Sequence, residues 1–527
     1  MKKKFISLVA ATAFCFGSAL ASVTEVSSDS TRKSVDTLSI WVMENGLGSQ
    51  KALQKIVKKF QKRTGTVVKI TVLDWANAFE RISKTLSESN NDVESPDVIQ
   101  LGSTWVAHFA AAGLIRPIDS MMTRVDSSRF FVEAFKNSHI AGNPQIYSIP
   151  WFVDIRGLYA NERLWFQLGL SDEKISTYPK FIGVLRAVAN SGLTNAQNEK
   201  VVPYALPGKN DWTGPQQMAP LIWGFGGRFL NQSSKGFRSG LLDSCTLEGL
   251  ALYAKIMGDN EIAPNSLFEN SAQNADRYIN SQQLLLYGTS ELIRELEFPA
   301  ESGGLKSSEI AQDGILIVEP PAGPAGRFSF MGGSHLALTQ KKDSLKSAAA
   351  EDLLAYLVRA DNIDSYSRQV GFLPSDKSII RIWQQDNRYS QLVKNMENGR
   401  SFSNIPEWGT IENILVRFSN DMGTVLSKTN DKIVRHKELS KMTLSAHNQI
   451  NAVLGYSESA DEAELLSRIE RIFSKKMIEE SPKGLSSVAN KSPFPWSRTI
   501  VAVFALFVLS VVYIAVRLYW RARRKRR

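Results

Sequence analysis

Cysteine is almost missing from this chain: two in 527 residues, Cys15 and Cys245. If the N-terminal leader is removed, Cys245 is left alone and no internal disulfide is possible. Histidine is as sparse, and its five copies (His108, His139, His335, His436, His447) have no paired spacing that points to zinc. No G-x-S-x-G occurs, and no histidine stands beside a candidate nucleophile in the sequence. An S-x-x-K spacing at Ser171 and Lys174 is too common to carry a serine–lysine mechanism by itself. "GFGGRF" lacks the strand–turn–helix setting of a nucleotide loop and reads as close backbone packing. No cofactor or metal is called for.

A basic body is also missing. The net charge is +11, but residues 1–21 carry +3 and residues 517–527 carry +7, which leaves +1 between them. Nucleic-acid binding requires a basic patch on the folded part, so that class is excluded. Both basic clusters flank apolar segments instead. "MKKKFISLVAATAFCFGSALA" has the charged start, apolar stretch and Ala-Leu-Ala end of a secretory signal peptide, residues 1–21. An uncleaved anchor is the alternative there. A lipoprotein reading fails on Phe14, too bulky to precede a lipidated Cys15.

Long apolar runs are rare, and the clearest stands near the C-terminus. Residues 499–516, "TIVAVFALFVLSVVYIAV", hold no charge. At 1.5 Å per residue they span ~27 Å against a hydrocarbon core of ~30 Å. Trp496 before, and Tyr519 and Trp520 after, are placed as interfacial aromatics. The basic tail 517–527 then orients the C-terminus to the cytoplasm. The expectation is a single-pass cell-membrane protein with an extracytoplasmic N-terminal body.

What is present fits a globular body, with 43% hydrophobic and 22% charged residues and enough length for two lobes. "TLSIWV" reads as a strand. Leu53, Ile56, Val57 and Phe60 follow at helical spacing, with Gly65 as a C-cap. "TVVKITVL", "WANAFERISKTL" and "DVIQL" continue as strand, helix and strand, which predicts a mainly parallel α/β sheet. Residues 130–287 read as mostly helical. "GILIVEP" and "SHLALT" return to strands, and helices resume from 344 to 454. A further amphipathic helix at 461–479 and a linker at 480–498 precede the apolar run.

Several stretches together resemble a known family: "DVIQLGSTWVAHFAAAGLIRPID", "YSIPWFVDIRGLYANERLWFQLGL", "PYALPGKNDWTGPQQMAPLIWGFGGRFL", "MGGSHLALT", "VGFLPS" and "IPEWGTIENIL". In order and spacing they are similar to the extracellular solute-binding proteins of ABC importers, in the sugar-binding group that includes maltose-binding protein. The resemblance runs from about residue 36 to 454. It implies a two-lobe, periplasmic-binding-protein-like α/β fold with a hinged cleft. Lobe 1 would take 36–150 and 287–340, and lobe 2 would take 151–286 and 341–456. It also implies a carbohydrate ligand and ABC transporter permease partners. The added span is a departure from the family. So is "YGTSEL", where Ser290 and Glu291 stand in place of a common Gly-x-Trp aromatic.

Sugars offer apolar faces and a rim of hydroxyls, so rings and polar groups are sought together. The candidate rings are Trp41, Trp75, Trp105, Trp151, Trp212, Trp223 and Trp408. The candidate polar partners are Glu44, Asn45, Asp74, Ser103, Thr104, Asp154, Arg156, Asn210 and Asp211, and the resemblance adds Gly332 and Gly333. Ser103 and Thr104 also open a helix, where free N–H groups bind oxygens. Each has a plainer reading. A Trp in a chain of this size serves a core more often than a ligand, and Trp165 and Trp383 are read as core. Asp74 can cap the following helix. Asp154 and Arg156 share a strand face and can pair with each other. A membrane sensor's ectodomain is the alternative function, and a glycoside-acting enzyme the rival class, since paired carboxylates are a three-dimensional quantity.

Overall fold

The computed structural model describes residues 35, 37–88, 95–209, 211–264, 266–340, 343–457, 460–475, 480 and 482. The chain begins with strand β1 (Thr37–Met43), helix Ser49–Thr64, β2 (Val67–Leu73), helix Trp75–Glu88, β3 (Val98–Gly102) and helix Val106–Ala111. The first helix buries Leu53, Ile56, Val57 and Phe60, the one-sided stripe its spacing predicts. It stops at Gly65, whose φ of 78° lets its N–H reach the Gln61 carbonyl.

Then β4 (Ser148–Ile155) runs almost directly into β5 (Gly157–Asn161), with only Arg156 between them. Short strands β6 (Val202–Tyr204), β7 (Leu230–Ser233) and β8 (Gly236–Ser239) follow. After them come β9 (Gln283–Gly288), β10 (Ile315–Val318), β11 (Ser329–Leu338), β12 (Leu373–Pro374) and β13 (Gly399–Arg400). The larger sheet has the order β12-β4-β11-β3-β1-β2, with β13 beside β11, and the smaller has the order β10-β5-β9-β6.

Two expectations are corrected by these strands. Residues 130–287 are not mostly helical: β4, β5, β6 and β9 lie inside that span. The larger sheet is mixed rather than mainly parallel. β1 runs parallel to β2 and β3, but β11 is antiparallel to both β3 and β4. The long β11 enters from the opposite end because it returns from the other lobe.

The apolar residues divide accordingly. One core under the larger sheet gathers Leu38, Ile40, Leu53, Phe60, Trp151 and Tyr366, and the opposite face holds Met43, Ile82, Leu101 and Phe109. A separate core around the smaller sheet takes in Leu158, Leu185, Ile222, Leu252, Trp408 and Phe418. The lobe boundaries differ from those expected. β10 pairs with β5, so the chain returns to the larger sheet between Val318 and Ser329, not at 287. Helices Ser344–Leu357 and Ala360–Val370 pack into the first core through Leu353 and Tyr366. Helices Trp408–Lys428 and Lys432–Val453 rejoin the second lobe.

The crossings between lobes lie side by side. Arg156 N–H donates to the Phe330 carbonyl at 3.0 Å, and Ser329 Oγ donates to the Arg156 carbonyl at 2.8 Å. β13 pairs with β11 at the same two residues, Ser329 and Phe330. The single-residue link at Arg156, bonded to the start of β11, makes a narrow hinge.

Among the described residues no helix is long and apolar enough to cross a membrane. The expected signal peptide, span and tail, 1–21, 499–516 and 517–527, lie outside the described residues, as does most of the expected linker 480–498.

Candidate functional site

The C-terminal ends of β1, β2 and β3 carry an aromatic corner. Trp75 and Trp105 meet edge to face at 5.4 Å, and Phe79 meets Trp105 at the same distance. The corner is held by polar contacts on its back. Trp75 Nε1 donates to the Glu44 carbonyl at 2.9 Å, and Trp105 N–H donates to the Gly102 carbonyl at 2.9 Å. Both rings pack beside Gly102: a Cβ there would lie in ordinary contact, 3.4 Å from Trp105 and 3.6 Å from Trp75. Trp75 stays exposed and Trp105 half-buried, as does neighbouring Thr104, and the Glu44 side chain is exposed.

Along the same sheet edge β11 contributes Gly332 and Gly333, and β4 contributes Asp154. Gly333 has φ of 144°, and a Cβ on it would overlap the Phe152 carbonyl. Asp154 pairs with Arg156 at 3.3 Å, and Arg156 NH2 donates to Gln216 Oε1 of the second lobe at 2.8 Å. Asp154 Oδ1 and Arg156 Nε are buried and find no hydrogen-bond partner among the described residues. Burial pushes the Asp154 carboxyl up, and the Arg156 charge partly opposes this.

Other sequence candidates have structural employment. Asn45 is buried and donates to Gln100 Oε1 at 2.9 Å and to Tyr366 Oη at 2.8 Å. Asp74 Oδ1 accepts from Ala76 N–H at 2.9 Å, so it caps helix Trp75–Glu88. Ser103 is buried, and its N–H, expected to be free, donates to the Gly333 carbonyl at 2.9 Å. Asp211 is buried and accepts from Thr213 N–H at 2.7 Å and Ser271 N–H at 2.5 Å. Asn210 lies outside the described residues.

The tryptophans sort by packing. Trp151 is buried in the first core and stacks on Tyr366 at 4.1 Å. Trp223 and Trp408 are buried in the second core, the latter stacked on Phe402 at 4.6 Å. Trp41 is buried beneath the Arg81 guanidinium. Trp212 is the opposite case, 64% exposed at the start of helix Gly214–Gly224. The S-x-x-K pair is no dyad, since Lys174 Nζ donates to the Gly169 carbonyl at 2.8 Å.

Two residues not proposed from sequence complete the arrangement. Gln216 is the second-lobe partner of Arg156, one turn into a helix, with no pattern to mark it. Glu291 follows β9 and reaches the β1 end of the first lobe: a Cβ on Gly46 would lie 2.6 Å from Glu291 Oε1. The only sequence signal was that a carboxylate replaces an expected aromatic. Helix Trp408–Lys428 approaches from the second lobe as well, with Gly409 3.8 Å (from an added Cβ) from the Phe79 ring. The site thus lies where both lobes meet at strand ends, a usual place for a ligand cleft.

Residues 45–363 match the pattern described as bacterial extracellular solute-binding protein. The chain belongs to that family. A relative, the diacetylchitobiose binding protein DasA of Streptomyces coelicolor, is 22% identical over 379 residues, 72% of this chain and 82% of the relative. Among solved structures, the GacH receptor of Streptomyces glaucescens superposes with a TM-score of 0.62 at 15% identity, covering 80% of this chain and 100% of that one. The sugar-binding protein MalE of Xanthomonas citri gives 0.61 at 17% identity, covering 84% and 100%. These likenesses give the periplasmic-binding-protein-like α/β fold. Family membership makes this chain a solute-binding protein, which is not an enzyme: it holds its ligand without transforming it.

Proposed function

We propose that the protein captures a carbohydrate between its two lobes and delivers it to ABC permease subunits from a membrane-anchored position. The observation that carries the reading is the pairing of two surfaces across a side-chain-free step. The Trp75–Trp105 corner offers apolar ring faces, Gly332 and Gly333 put no side chain beside Asp154, and Asp154 Oδ1 and Arg156 Nε are without hydrogen-bond partners among the described residues. A sugar ring has the matching face and hydroxyls. In this reading Glu44, Thr104 and exposed Trp212 serve as the rim of the cleft, and Gln216 and Glu291 bring in the second lobe.

DasA's name records a disaccharide, so diacetylchitobiose is the first sugar to try, with maltose beside it. The anchor is residues 499–516, whose apolar run and basic flank meet the requirements for a span. A thermal-shift panel of sugars, amino acids, polyamines and iron tests the ligand class. Ligand at 100-fold over Kd should add about 2.7 kcal/mol of stability. A shift with polyamines or iron and none with any sugar overturns the carbohydrate assignment. Flotation with liposomes tests the anchor, and loss of residues 499–527 should abolish it.

A further inference from the structure

Helix Glu462–Phe473 lies beyond the family match, yet it is built into the second lobe. Its buried face, Leu465, Ile469 and Ile472, joins the second core. Arg468 NH2 donates to the Leu242 carbonyl and to Ser244 Oγ, and Lys475 pairs with Glu248 at 3.4 Å. Farther on, Glu480 N–H donates to the Pro179 carbonyl at 3.2 Å. Pro179 opens helix Tyr178–Ala189, one turn before Gly183. A Cβ built on Gly183 would overlap the Glu480 backbone carbonyl, and its three nearest contacts all belong to Glu480.

Glycine in a helix interior is otherwise unfavourable. Here its missing side chain lets a second backbone lie across the helix. The core reason for the glycine is therefore outside the helix that contains it.

We infer that helix Glu462–Phe473 and Glu480 act as a strap that fastens the chain to the second lobe alone, with Glu480 crossing helix Tyr178–Ala189 at Gly183. Both ends of the strap touch second-lobe elements. The chain is therefore held to that lobe as far as Glu480, and the first lobe is the one free to swing at the Arg156 hinge. That last consequence rests on the anchored, two-lobe reading proposed above; the strap itself does not.

The test uses the full chain in detergent. Limited trypsin digestion is followed by mass spectrometry at the Lys475 bond, alongside the melting temperature, for wild type and Gly183→Ala. If the strap crosses at Gly183, alanine displaces it. Cleavage after Lys475 should then accelerate at least tenfold, with no rise in Tm. If nothing crosses there, alanine is simply the better helix former; Tm then rises, cleavage stays at the wild-type rate, and the proposal is overturned. Ile469→Ser loosens the strap from its other end and should give the same acceleration with the remaining digestion pattern unchanged; a wild-type rate at Lys475 in this variant also counts against it. Flotation of the same samples reads the anchor separately. A chain that does not float but shows the expected Lys475 rates in wild type and Gly183→Ala refutes the anchor and leaves the strap standing.

Discussion

Glu291 of the second lobe presses its carboxylate against Gly46 of the first, with Oε1 2.6 Å from where a Cβ on Gly46 would sit. Its carboxylate accepts a long hydrogen bond, 3.3 Å from Thr289 Oγ1. Burial, followed by the charges of Asp154 and Glu295, pushes the Glu291 carboxyl up to about 8, and only Arg156 and the Thr289 bond work the other way. This close approach of the lobes therefore favours the protonated form. Its stabilisation is full below the ordinary carboxylate range and is lost as pH rises through about 8. The radius of gyration at saturating sugar should accordingly be smaller at pH 6 than at pH 9. Glu291→Gln should keep the compact radius at both pH values. Equal radii for the wild type at both would remove Glu291 from the closing contact.

The two classes of tryptophan predict opposite phenotypes. Trp105→Ala removes a half-exposed ring from the cleft corner. Sugar affinity should fall roughly tenfold or more, as for an interface anchor worth over about 1 kcal/mol, with little change in Tm. Trp151→Ala empties a buried site against Tyr366. It should cost about 3–5 kcal/mol of stability. Calorimetric titration and denaturant melts on both variants separate these cases, and loss of stability in Trp105→Ala with unchanged affinity would return Trp105 to the core.

Gly333 gives a backbone prediction. With φ of 144° and the Phe152 carbonyl in the way, alanine is strained both in conformation and in space. Gly333→Ala should destabilise by more than about 1 kcal/mol. Gly65, also at positive φ but with nothing within 4 Å of an added Cβ, should respond through conformation alone and lose less. Urea melts of the two variants make the comparison, and equal losses would mean that the Phe152 contact carries no weight.

What could be read beforehand, and what could not, follows from the range of the interactions. Helix Ser49–Thr64 was legible because its stripe and its terminal Gly65 are local signals. β5 was hidden because five buried residues, Gly157–Asn161, have no alternation, and Asn161 at once becomes the N-cap of the next helix. Strand direction was also hidden, since β11 owes its antiparallel placement to a return from the other lobe. In the cleft, the Asp154–Arg156 pair was visible from their spacing. Burial of Trp408 and the seating of Gln216 were not, because both depend on which face of a helix meets a distant strand or core.

Arg156 is the residue on which hinge and site converge. Its backbone N–H and carbonyl bond Phe330 and Ser329, and its guanidinium joins Asp154 of the first lobe to Gln216 of the second. Arg156→Met keeps most of the stem but leaves the Asp154 carboxylate buried and unpaired. Breaking one side of such a pair costs about 3–5 kcal/mol, and the part reaching stability here should be less if Asp154 takes up a proton as its carboxyl rises further. The double change Arg156→Met with Asp154→Asn removes the stranded charge and should recover much of the loss. Sugar binding separates the two roles. If the pair also holds ligand hydroxyls, the double variant regains stability but not affinity, as read by urea melts and calorimetric titration side by side. Recovery of both would make the pair purely a fastening of the hinge, and the polar half of the proposed cleft would then have to be sought at Glu44, Thr104 and Glu291.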